Sequence, residues 1–76
     1  MPSPINGAHT GGRGTVVAFE QHRGLGTVED TAGRQFDFHC TVIDGSRSIA
    51  VGTPVVFAVA PGRVGRYEAV AVIALG

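Results

Sequence analysis

Gly24–Cys40, GLGTVEDTAGRQFDFHC, is the stretch that decides how this chain is read. Two runs of alternating character, Gly24–Glu29 and Arg34–Cys40, flank the turn-forming residues Asp30-Thr31-Ala32-Gly33. Gly33 takes a positive φ at low cost, so the segment predicts an antiparallel hairpin. Strand side chains alternate between faces. Phe36 and Phe38 therefore share one face with Gly26 and Val28, and this is the core side. Gln35, Asp37 and His39 share the other face with Leu25, Thr27 and Glu29. That outward surface is flat, mixed in chemistry and carries one histidine, so ligand contact is expected there.

Before this hairpin, Thr15–Glu20 reads as a first strand with Val16, Val17 and Phe19 as its apolar residues, followed by a turn at Gln21-His22-Arg23-Gly24. Met1–Arg13 mixes Pro, Gly, Ser, Asn and Thr with little to bury, and is expected to be a flexible tail on a domain spanning 14–76. After the hairpin, Thr41–Gly52 breaks the alternation. Thr41-Val42-Ile43 predicts one helical turn, and Ile49 and Val51 are expected to plug an open end of the core. Thr53–Ala60 is a fourth strand with Pro54 near its start, where a missing donor is tolerated. Pro61–Gly65 is a loop and Arg66–Leu75 a fifth strand. Five short antiparallel strands with one long connection after the third predict an all-β fold, a small Greek-key barrel of the OB type.

Composition sets the outer bounds. Seventy-six residues allow one domain, which buries only about 60% of its unfolded surface. No apolar run is long enough to span a membrane, and the first residues lack the apolar centre of a secretory signal. Cys40 is the only cysteine, so no intrachain disulfide forms, which fits a reducing cytoplasm. Six arginines balance six carboxylates, which argues against strong sequence-independent affinity for polyphosphate.

The order of motifs resembles the cold-shock domain family. That family opens with G-x-V-x-W-F, continues with K-G-F-G-F-I and then V-F-V-H-F-S-x-I, and closes with an apolar strand, a glycine-rich hairpin and a last strand. Here the matching segments are Gly14-Thr15-Val16-Val17-Ala18-Phe19, Arg23-Gly24-Leu25-Gly26-Thr27-Val28 and Phe36-Asp37-Phe38-His39-Cys40-Thr41-Val42-Ile43. The resemblance runs over residues 14–75. It implies a barrel that binds single-stranded RNA or DNA by stacking bases on outward aromatics, in gene regulation or RNA handling. At the matching positions Ala18 stands for Trp, and Leu25, Thr27, Asp37 and Cys40 stand for Phe. His39 and Phe19 keep the family residues, and Arg23 keeps the charge of a lysine. Base–aromatic stacking is worth about 1–3 kcal/mol per base, so binding is expected to be weak or altered in specificity.

On this reading the nucleic-acid surface comprises His39, Phe19, Arg23, Leu25, Thr27, Asp37, Arg34 and Arg63. His39 is its stacking platform. Asp37 repels phosphate but can accept a hydrogen bond from a base amino group. Arg23, Arg34 and Arg63, with Arg66, either form a basic rim around a neutral centre or are scattered solvated charge. Tyr67 either caps the barrel or stacks on a ligand. No paired carboxylates, phosphate-cradling loop or triad spacing is present, so neither catalysis nor a cofactor or metal is expected. Alternation also turns Cys40 away from His39, which separates a thiol from its nearest base.

Strands four and five depart from the family pattern. VVFAV and EAVAVIAL are apolar on both faces, with Val56, Ala58 and Ala60 opposite to Val55, Phe57 and Val59. A barrel has one inside, so the outer set forms an apolar patch. The competing expectation is therefore a homodimer or protein-interaction module that uses this hairpin.

Overall fold

The computed structural model describes residues 9–62 and 65–75. Five strands, β1 (His9–Glu20), β2 (Leu25–Asp30), β3 (Gln35–His39), β4 (Pro54–Pro61) and β5 (Tyr67–Ala74), close into a barrel in the order β1-β2-β3-β5-β4. The chain is an all-β barrel of the OB type. Four pairings are antiparallel, but β3 meets β5 in parallel through Asp37 and Glu68. This corrects the all-antiparallel expectation. The long connection after β3 lets β5 return in the same direction as β3, which no tight hairpin allows. A second parallel bridge, Ile43 to Val72, extends this short seam.

The central hairpin has the expected register. Leu25 faces His39, Gly26 faces Phe38, Thr27 faces Asp37 and Val28 faces Phe36. Its turn is locked by one side chain. Asp30 Oδ1 accepts the backbone N–H groups of Ala32 at 2.9 Å and Arg34 at 2.8 Å, while Oδ2 accepts Arg34 Nε at 2.8 Å. Gly33 supplies the positive φ of 87°. Burial raises the Asp30 carboxyl, but these hydrogen bonds and the Arg34 charge outweigh it and hold its pKa below 3.8.

Strand β1 begins at His9, six residues before the expected Thr15. Gly12 and Arg13 pair with Phe57 and Val56 of β4, so part of the expected tail belongs to the barrel wall. Glycine makes this approach feasible. Gly11 has φ 74°, and a Cβ there would collide with the Phe57 carbonyl. The expectation for residues 1–8 lies outside the described residues.

The core consists of Val16, Val28, Phe38, Ile43, Val55, Phe57, Val59, Ala69 and Val72. Burying each valine contributes on the order of 2 kcal/mol before the entropy of ordering is set against it. After β3, a single 3-10 turn at Cys40–Val42 fulfils the expected helical turn one residue early. Ile49 packs on the core as expected, whereas Val51 is 62% exposed and plugs nothing. Val51 sits in the turn before β4, where Gly52 at φ 96° redirects the chain outward.

Candidate nucleic-acid interface

The outer face of β1, β2 and β3 is built from transverse rows. Glu20, Leu25 and His39 form one row, Ala18, Thr27 and Asp37 the next, and Thr15, Glu29 and Gln35 the third. A bulge in β1 makes these rows line up. Val16 pairs with Val28, but Ala18 pairs with Thr27, so Val17 is an extra residue. Without it Ala18 would point inward with Val16. With it Ala18 joins the outer face and Phe19 falls in the inner row, opposite Gly26.

This moves one candidate residue. Phe19 is half-buried and stacked on Phe38, with ring centroids 6.0 Å apart and planes at 13°. It is a wall of the site rather than a free outward platform. The two rings flank Gly26, where a Cβ would lie 2.7 Å from Phe38 Cε1. Between Ala18, Phe19, Leu25, Thr27 and Asp37 the surface sinks into a depression of about 370 Å³, floored by Gly26.

Asp37 and Thr27 are coupled across the strands. Thr27 Oγ1 donates to Asp37 Oδ1 at 3.3 Å, which orients the carboxylate and leaves Oδ2 open. Having donated its hydrogen, the threonine hydroxyl offers a ligand only lone pairs. Glu20, the other charged residue beside the depression, is also an acceptor. The side chains lining the depression thus present acceptors to any ligand.

His39 is exposed and its ring is fixed. Nδ1 accepts the Thr41 backbone N–H at 3.2 Å and lies 3.0 Å from Thr41 Oγ1. An accepting Nδ1 carries no hydrogen, so the neutral ring bears its hydrogen on Nε2. The 3-10 turn also alters the expected separation from Cys40, whose Sγ is 3.9 Å from Nδ1. Since Nδ1 already takes the Thr41 N–H, it is not free to serve as base for the thiol.

Of the arginines weighed as a basic rim or as scattered solvated charge, two are engaged in ion pairs. Arg23 pairs with Glu20 at 3.5 Å, and Arg34 pairs with Asp30 at 2.8 Å. Arg63 lies outside the described residues, and Arg66 is exposed beside the last loop. Tyr67 stands opposite Pro61 at the end of the β4–β5 ladder and is 37% exposed. The centre is acidic rather than neutral, with Glu20, Glu29 and Asp37 on the face and Glu68 beside Asp37. Alternation already places Glu29 and Asp37 on this face; the engagement of Arg23 and Arg34 is not legible in the sequence, because those ion pairs depend on turn geometry. No three His, Cys, Asp or Glu side chains among the described residues are grouped to hold a metal ion. No helix among them is long and apolar enough to cross a membrane.

The fold and this face together define a small OB-type barrel with an open, acceptor-lined outer sheet. No protein-family model matches the chain, and no curated protein matches it.

Proposed function

We propose that this chain is a cold-shock-like module that binds single-stranded RNA or DNA on the outer face of β1–β3, and that it does so in the cytoplasm. The reading is supported above all by the depression beside Asp37, bounded by Phe19 and Leu25 and close to the fixed His39 ring. The resemblance in motif order over residues 14–75 supports the same ligand class.

Binding works mainly through base edges. A splayed base enters the depression against Phe19 and Leu25, and its amino group donates to Asp37 Oδ2. His39 offers its ring face to a neighbouring base. The carboxylates keep phosphates away from the centre, so the backbone follows the periphery. Bases with an amino group (cytosine, adenine and guanine) are favoured over uracil and thymine, whose carbonyls would face the carboxylate. With Arg23 and Arg34 held in ion pairs, few counterions are released and affinity depends only shallowly on salt.

Amide shifts recorded on adding oligocytidine and oligouridine of equal length test this directly. Changes are expected on β1–β3, stronger with oligocytidine, and small with a duplex. Shifts confined elsewhere, or none at about 1 mM oligonucleotide, an affinity floor near −4 kcal/mol, overturn the reading.

A further inference from the structure

On the far side of the barrel, the outer residues of β4 and β5 are apolar. Val56 faces Ile73, and Ala58 faces Ala71. Val70, the extra residue of a bulge, is 47% exposed, while Ile73 and Leu75 are 46% and 50% exposed. Among the described residues of β1, β4 and β5 on this face, charge stands at opposite corners. Arg13 of β1 lies beside Val56, and Glu68 of β5 lies beside Ala60. Among the described residues neither takes part in an ion pair. Glu68 is also the register partner of Asp37 across the parallel seam, so two acidic residues stand on adjacent strands there.

We propose that this face pairs two copies of the chain about a two-fold axis through Ala58, with Arg13 of each copy against Glu68 of the other. An isologous contact requires a surface complementary to itself. Rows on one strand face lie ~7 Å apart and strands ~5 Å apart, so Ala58 falls midway between the two charged corners. A two-fold axis that lies in the contact plane, crosses this midpoint and runs perpendicular to the line joining the corners superposes each corner on its opposite. Both ion pairs then form at once. At the axis, Ala58 and Ala71 are small enough for the two sheets to approach closely. On these spacings the face is on the order of a few hundred Å², less than the ~800 Å² per partner of a standard complex, so the dimer is transient. The pairing does not rest on nucleic-acid binding.

Sedimentation of the full chain from about 10 µM to about 1 mM, a span of about 3 kcal/mol in association free energy, tests the pairing. The parent should pass from monomer to dimer. Arg13→Glu and Glu68→Arg each bring like charges together, and each should raise Kd at least about tenfold. An equimolar mixture of the two variants should dimerise as the parent does, because each contact then joins opposite charges. Ile73→Lys should also give monomer while leaving the circular dichroism spectrum unchanged. A parent that stays monomeric throughout, or a dimer indifferent to the charge reversals and unrestored by mixing, overturns the proposal. Capture of another protein by a monomeric chain would likewise assign the face to a different partner.

Discussion

Phe19 and Phe38 stack across Gly26, almost parallel at 13° and 6.0 Å apart. Neither ring can take this position without the bulge at Val17, which turns Phe19 inward, or without a glycine between them. One inserted residue thus sets both the end of the core and the shape of the outer depression.

Gly26→Ala should be among the more damaging single substitutions. The added Cβ meets Phe38 Cε1 at 2.7 Å and the Ala18 carbonyl oxygen at 2.8 Å. Overpacking of this kind costs about 1–3 kcal/mol. In a domain of this size that corresponds to a Tm lower by roughly 4–24 °C. Thermal unfolding measures it, and an unchanged Tm would show that the stacked pair is loose.

Asp30 should make stability depend on acid. Its folded pKa lies below 3.8, so the carboxylate contributes fully above that value. As pH falls, the unfolded chain takes up the proton first, and the contribution is lost as pH passes the lower folded pKa. Denaturant unfolding from about pH 6 to about pH 2 should show this loss. Asp30→Asn should flatten the acid limb; equal slopes for parent and variant would remove Asp30 from the explanation.

Gly11→Ala tests the unexpected start of β1. With φ at 74° and the Phe57 backbone in the way, an added methyl should lift residues 9–13 from β4. Hydrogen exchange should accelerate in that stretch while Val28 and Phe38 stay protected. Uniform acceleration would mean that the first turn of strand is integral to the whole barrel.

Asp37→Phe addresses the binding face. It removes a charge that repels phosphate and adds one aromatic platform. Stacking of about 1–3 kcal/mol per base translates to roughly tenfold or more in affinity for oligothymidine. The preference for amino-bearing bases should disappear. Asp37→Ala separates the terms, since it relieves repulsion without adding a ring. Fluorescence anisotropy at fixed salt compares all three proteins. A folded Phe variant that binds no better than its parent would place the ligand elsewhere.

Local pattern carried much of this protein. Alternation alone fixes which of Leu25, Gly26, Thr27, Val28, Phe36, Asp37, Phe38 and His39 face inward, because a side chain on a regular strand has only two directions. The turn at Asp30–Gly33 and the apolar outer set Val56, Ala58 and Ala60 follow from the same reasoning. Tertiary structure decided the rest. The bulge at Val17 exists because β1 must bend to pair with both β2 and β4, and its position sends Phe19 inward and Ala18 outward. Gly11 resembles part of a polar tail in sequence, but it is small enough to lie against the Phe57 backbone, where a Cβ would collide. The charges of Arg23 and Arg34 are visible in sequence, yet their engagement by Glu20 and Asp30 depends on how two turns fold. Composition sets how many charges a chain carries; only the closed barrel determines which of them remain available to a ligand.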